Sequence, residues 1–394
     1  MTRGPGTEET DVTMSADVPE ISPEELVQRL ESGAPLRVLD VRAPAAVASG
    51  RIDILPAERF INIKGSDVLA MGKGVRQAVP PDGPIAVVCG RGNSSKQVAA
   101  VLNDLGYSAL SMRGGMAAWD VAVMPRKLSP PKGFDLFVQF DRIAKGATGY
   151  LLASRGEAFL VDPPRKAQPY LEYAREAGCR VVGVADTHVH ADYLSGGPAI
   201  ARSLKIPYYL HARDAVYPYD GTPGKIEFTP VSEGMSIPLG SGEIRVAHTP
   251  GHTEGSVTYR AGNVALTGDF IFVNSVGRPD LAGKAEAWTV TLWNSLERAR
   301  REWSGDVRVY PAHYASEKER EADRTVGCPF SDVQKRNEPL RIKDQTAFIA
   351  WVGSKTGKVP DAYRKIKAVN LGLLEVWEME AQELEGGRNE CAVG

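Results

Sequence analysis

Hydrophobic and polar positions set the outline of the fold before any single residue does. At ISPEELVQRLES the spacing predicts an amphipathic helix with a marked start: Ser22 can cap it, Pro23 suits the first helical position, and Glu25 completes a capping box. Short apolar runs at LRVLDV and IAVVC predict buried strands. An amphipathic helix beginning near Ser95, a strand at SALSM and a short helix in GGMAAW follow. This alternation predicts an α/β domain with a mainly parallel sheet over residues 20–125. VMPRKLSPPKG, residues 123–133, holds three prolines and no periodicity, so a linker is expected over 126–133.

A second domain, residues 134–394, is expected beyond it. FDLFVQF, GYLLAS and AFLVDP read as strands, a helix spans roughly Arg165 to Ala177, and RVVGVADTHVH reads as a strand running into a histidine-bearing loop. EIRVAHTPGH, SVTYR, NVALTGD and VRVYPAH continue the strand series. From Ala315 onward the pattern is charged and helical, with no further strand. Histidines and aspartates therefore recur at strand ends.

Composition narrows the partners. With 47 Lys and Arg against 49 Asp and Glu, the net charge of -2 gives neither a field for nucleic acid nor a footprint for anionic lipid, so small molecules are expected. Residues 1–19 are acidic, poor in large apolar groups and without a signal or transit pattern, which reads as a disordered tail. No apolar run is long enough to span a membrane. Cys89, Cys179, Cys328 and Cys391 form no CxxC pair, and a reducing cytoplasm is the expected compartment. Roles for the last three are not assigned.

The first chemical candidate is Cys89. VVCGRGNSSKQVA runs strand, cysteine, glycine-rich loop, helix, so the backbone N–H groups and the helix terminus favour an anion or thiolate at Cys89. Gly90, Arg91, Gly92, Asn93, Ser94 and Ser95 complete that loop. A buried cysteine that merely ends a strand is the bland alternative. The loop closely resembles that of single-domain rhodanese sulfurtransferases, and VLDVR near Asp40 and LSMRGGMAAW near Trp119 fit that family as well. The resemblance implies that Cys89 takes a sulfane sulfur from thiosulfate and passes it, as a persulfide, to a thiol. The acidic residue and histidine often found after the VLDVR element are absent from APAAVASGRIDI.

The second candidate is a cluster. His188 and His190 lie in DTHVHAD, His252 in TPGHTEGS, His313 in YPAHY and Asp269 in LTGDF, a distribution that core packing alone does not produce and that suits a metal. His211 and His248 are assigned to ordinary packing or surface roles. The series HxHxD, GH, GD, PAH closely resembles the metallo-β-lactamase superfamily, an αββα sandwich whose hydrolases hold two metals. Tyr193 stands where a second-site histidine is expected, and a phenol with a reference pKa near 10 ligates poorly. A mononuclear centre of His188, His252 and Asp269 is therefore expected, a donor set that suits Fe(II) and also zinc.

THVHADYLSGG, TPGHTEGS and TGDFIFVNSVGRPDL together look like the persulfide dioxygenase branch of that superfamily. This implies one Fe(II) per chain, with His190, Asp192 and His313 beside it or serving an additional metal, and Asp162 orienting a histidine. It also implies substrate contacts at Arg278 and Tyr193, and it leaves room for a homodimer. The implied partners are glutathione persulfide or a similar persulfide, dioxygen, thiosulfate and sulfite. Arg278 paired with Asp280 is the structural alternative. A zinc thioesterase of the glyoxalase II kind and a non-enzymatic sulfur carrier or persulfide sensor are the competing functions.

Overall fold

The computed structural model describes residues 18–281 and 283–393, so the expected tail lies outside the described residues except for Val18 and Pro19. The chain divides into two units, Met1–Trp119 and Asp120–Gly394.

In the first unit, β1 (Glu20–Ile21), β2 (Arg37–Asp40), β3 (Phe60–Asn62), β4 (Ile85–Val88) and β5 (Ala109–Met112) form one sheet in the order β1-β5-β4-β2-β3. Every pairing in it is parallel. β4 is buried at all four positions, as parallel strands covered on both faces are. Ser22 caps the first helix, Pro23–Glu31, by accepting the Glu25 N–H at 3.1 Å. The expected capping box is only half made, because the Glu25 carboxylate accepts from Arg29 at 2.5 Å instead. β1 and β3 are too short to leave a pattern in the sequence.

The second unit stacks two sheets. One contains β6 (Met124–Leu128), β7 (Leu136–Arg142), β8 (Ala147–Ser154), β9 (Glu157–Val161), β10 (Arg180–Ala185), β11 (Tyr208–His211) and β12 (Thr229–Val231), ordered as they occur in the chain. The other contains β13 (Ser236–Leu239), β14 (Gly242–His248), β15 (Val257–Ala261), β16 (Val264–Gly268), β17 (Arg308–Pro311) and β18 (Cys328–Pro329). Side chains alternate between layers. Phe137, Leu152, Phe159 and Val161 meet Ile244, Val246, Tyr259 and Leu266 between the sheets. Their neighbours Val138, Leu151 and Leu160 turn outward onto Tyr170, Ala174 and Ile200 of the helices Gln168–Glu176 and Gly197–Leu204. On the far side Ala265 and Val309 pack against Leu292 and Leu296 of the helix Ala285–Glu302. Each of the larger aliphatic and aromatic side chains among these contributes on the order of 1.5–3 kcal/mol on leaving water. The result is a helix–sheet–sheet–helix sandwich.

Two expectations are corrected. The first part of the proline-rich segment is not a free linker, because β6 pairs antiparallel with β7 along five residues. β6 is an edge strand, where Pro125 needs no partner for its missing N–H. The region beyond Ala315 is not wholly helical either, since β18 pairs with β17. Among the described residues no helix is long and apolar enough to cross a membrane.

β9 and β10 run parallel, and so do β16 and β17, with β14 in the same direction two places from β16. The loops that follow these strands therefore leave from the C-terminal edges of the sheets, and they carry the candidate ligands.

Candidate functional sites

In the first unit Cys89 follows β4, and the next helix, Asn93–Asp104, begins after Gly92 at φ +87°. The Gly92 N–H donates to Cys89 Sγ at 3.1 Å, and Ser95 Oγ lies 3.3 Å away, itself 2.8 Å from Ser111 Oγ. Burial alone would raise the thiol pKa. Hydrogen bonds from Ser94 and Ser95 and from the backbone at Ser95 and Arg91 outweigh it and bring Cys89 down to about 7. Gly90, Arg91, Asn93 and Ser94 are exposed, while Gly92 and Ser95 are buried. The RGG element has a steric reason: a Cβ on Gly115 would stand 2.3 Å from the Cys89 carbonyl oxygen and 2.7 Å from the Arg91 nitrogen. The VLDVR element is structural. Arg42 pairs with Asp40 at 2.7 Å and donates to the carbonyls of Ala46 and Gly50.

In the second unit the structure brings His188, His252 and Asp269 together, with one donor atom of each within 4.8 Å of the others and all three side chains buried. His188 Nε2 and His252 Nε2 lie 3.7 and 3.4 Å from Asp269 Oδ2. None of these three atoms has a hydrogen-bond partner. Leaving one such buried polar atom unsatisfied costs about 1–3 kcal/mol, so three aimed at one point fit a cation.

The opposite atom of each ligand is held. His188 Nδ1 lies 3.0 Å from Thr187 Oγ1, which donates to Asp162. His252 Nδ1 donates to the Arg278 carbonyl at 2.9 Å, and Asp269 Oδ1 accepts from His313 Nδ1 at 2.7 Å. Orientation of this kind leaves each free lone pair facing the shared point. Burial pushes His188 well below its usual pKa and His252 down to about 4, so both imidazoles are neutral. Burial acts the same way on His313, but Asp192 and Asp269 overcome it and raise that group to about 10.

Asp162 sits at φ +53°, a conformation that costs a residue with a Cβ on the order of 1–2 kcal/mol. There its carboxylate accepts from Thr187 N at 2.7 Å and reaches His190 Nε2 at 3.1 Å. Tyr193 stacks on His190 with ring centroids 4.2 Å apart, and its hydroxyl is 2.9 Å from the same Nε2. Burial first, and then the charges of Asp162, Asp186 and Asp192, hold the phenol well above its usual pKa, which favours its protonated form. Tyr193 is 2% exposed and packs as a support for His190. His190 Nδ1 has no partner. Asp192 lies 3.1 Å from His313 Nε2, and Cys391 joins these two in a neighbouring buried group.

Arg278 takes the ion-paired arrangement that the sequence offered as its structural alternative. Its guanidinium is bidentate to Asp280 at 2.7 and 2.8 Å and donates to the carbonyls of Gly357 and Glu390, so its ties are internal. What it offers the site is its backbone carbonyl on His252. Gly277 makes that approach possible, because a Cβ there would fall 1.8 Å from the Asp269 carbonyl oxygen and 2.9 Å from His252 Nδ1. His211 and His248 lie outside the cluster, stacked on each other at 4.2 Å.

Several supporting residues escape sequence reasoning. Asp214 accepts from Val189 N, Thr253 Oγ1 and Gly255 N at 2.7–2.8 Å, clamping both histidine loops at once. Lys367 donates to the Val189 carbonyl, and Asn370 donates to those of His190 and Tyr193; both lie on the helix Asp361–Asn370. Only Thr187, adjacent to the first histidine, carried a signal in the motif itself. A cavity of about 220 Å³ is lined by Val189 and Thr253, which adjoin His188 and His252 in the chain, and by Asp214, Glu254, Trp288 and Lys367 among others.

Comparison with known proteins agrees with both halves. Residues 22–122 match the rhodanese-like domain, and residues 144–328 match the metallo-beta-lactamase superfamily. An uncharacterized protein of Aquifex aeolicus is 33% identical over 40% of this chain and 79% of its own. The mitochondrial persulfide dioxygenase ETHE1 of Homo sapiens is 30% identical over 42% of this chain and 62% of its own length. The hydroxyacylglutathione hydrolase of Hahella chejuensis is 27% identical over 53% and 78%. Among solved structures, a metallo-beta-lactamase from Staphylococcus aureus superposes with a TM-score of 0.54 at 26% identity, covering 63% of this chain and 75% of that one. The chain is thus a rhodanese-like domain fused to a domain of the metallo-β-lactamase superfamily.

Proposed function

We propose that the second unit oxidises a low-molecular-weight persulfide, glutathione persulfide in the first instance, to sulfite, and that Cys89 transfers sulfane sulfur between thiosulfate and the same thiol pool. The observation that carries this reading is the buried set of two imidazoles and one carboxylate whose free atoms converge. Tyr193, where the family resemblance leads one to expect a further imidazole, supports a mononuclear reading because its phenol is held toward the protonated form. Two histidines and a carboxylate with open positions are the donor set of non-haem Fe(II) oxygenases. The similarity to persulfide dioxygenases supports the substrate class.

Iron(II), when bound, supplies the redox chemistry with dioxygen. The chain's own part is to keep His188 and His252 neutral, to fix their rings through Thr187 and the Arg278 carbonyl, and to hold Asp269 as a carboxylate against His313. Overall, persulfide, dioxygen and water give sulfite, thiol and protons. In the first unit the Cys89 thiolate attacks the outer sulfur of thiosulfate, the sulfur–sulfur bond breaks, and sulfite leaves. The Cys89 persulfide then yields its outer sulfur to a thiolate acceptor.

Zinc-dependent thioester hydrolysis is the second reading, favoured by the hydroxyacylglutathione hydrolase match and by the suitability of the same donors for zinc. Paired variants test the proposal. Asp269→Ala abolishes oxygen uptake with glutathione persulfide and keeps thiosulfate sulfurtransfer; Cys89→Ser does the converse. Survival of both activities in either variant refutes the corresponding assignment.

A further inference from the structure

Lys367 is a buried lysine that braces the first histidine loop without being one of the candidate metal ligands. The residue is 2% exposed, and its one hydrogen bond, to the Val189 carbonyl at 2.7 Å, occupies one of three N–H donors. Among the described residues no carboxylate lies within 4.0 Å of it. Burial opposes its charge and the carboxylate of Asp214, on the same wall, favours it, but the Asp214 oxygens already accept from Val189 N, Thr253 Oγ1 and Gly255 N, so two donors of Lys367 are left for an anion that enters the cavity. The residue lines the 220 Å³ cavity together with Val189 and Thr253, the chain neighbours of His188 and His252. Of the other cations on that wall, Lys284 is paired with Glu254 at 3.1 Å and Arg213 is exposed.

We infer that Lys367 is the anion-binding residue of this cavity, receiving the anionic sulfur end of the persulfide and, after reaction, the sulfite formed from it. This rests on the reading of the triad as the persulfide site. It gives the substrate's charge a defined partner inside the protein, since the guanidinium of Arg278 is committed to Asp280. The cavity's aromatic wall, Trp288 and Tyr217, is left for the carrier.

The probe is sulfite itself, titrated calorimetrically and without oxygen into the iron-loaded full chain carrying Cys89→Ser, so that neither turnover nor the first unit contributes. The loss of a charge-assisted hydrogen bond in Lys367→Met weakens sulfite binding about tenfold or more, with one iron per chain retained. Lys367→Gln keeps a donor for the Val189 carbonyl without the charge, and shows the same loss. Sulfite binding as tight in Lys367→Gln as in the parent protein overturns the inference. So does loss of iron in both variants, which makes Lys367 only a brace for the histidine loop, and so does a parent protein that binds no sulfite. Because no oxygen is consumed, a failure here is separable from absence of dioxygenase activity, which oxygen uptake by the unmodified chain reports.

Discussion

Cys89 shows how few atoms set a reactivity. Burial works against its thiolate, and hydrogen bonds from Ser94, Ser95 and the loop backbone reverse the balance, placing the thiol at about 7. Since the folded-state pKa is depressed, the reactive form is present above that value and is lost as pH falls through it. Sulfur transfer from thiosulfate, followed by stopped flow, should therefore rise through pH 7 and level off about one unit higher. Ser95→Ala removes a hydrogen bond that favours the thiolate and should move the midpoint upward; an unmoved midpoint contradicts this account. At the same scale, His188, His252 and Asp269 were legible because imidazole and carboxylate in TPGH, TGD and THVH have few structural reasons to recur. The internal ties of Tyr193 and Arg278 were not legible, for a physical reason. A motif shows that a residue is present but not whether its polar atoms are already spent, and here they face His190 and Asp280.

At the level of elements, the site depends on segments that share no motif with it. Asp214, just past β11, ties the loop after β10 to the loop after β14 with three hydrogen bonds. Asp214→Ala leaves those donors buried without their acceptor and should cost about 2–5 kcal/mol. Urea unfolding of metal-free protein measures this, and a loss below 1 kcal/mol, on the order of an ordinary surface change, would contradict the clamp. The helix Asp361–Asn370 acts on the first histidine loop through Lys367 and Asn370. No spacing rule connects positions about 180 residues apart, so this region read only as charged helix. β6 was hidden for a different reason: edge strands tolerate proline, and Pro125 made a strand look like a linker. The buried strands β7–β10 were readable because each is a short run rich in apolar residues.

For the whole molecule, the claim is that one chain carries two sulfur chemistries with a shared intermediate. Covalent linkage raises the local concentration of that intermediate. With thiosulfate, glutathione and oxygen, the intact chain should consume oxygen without a lag, whereas a mixture of the Cys89→Ser and Asp269→Ala proteins should lag until free glutathione persulfide accumulates. Identical time courses would show that fusion contributes nothing to the flux. The most direct test of the central claim is oxygen-electrode turnover of glutathione persulfide by the metal-free chain reloaded with iron(II) or with zinc. The account predicts oxygen uptake with sulfite formation for the iron-loaded chain and none for the zinc-loaded chain. Thioester hydrolysis by the zinc-loaded chain, with no oxygen uptake by either form, would contradict it.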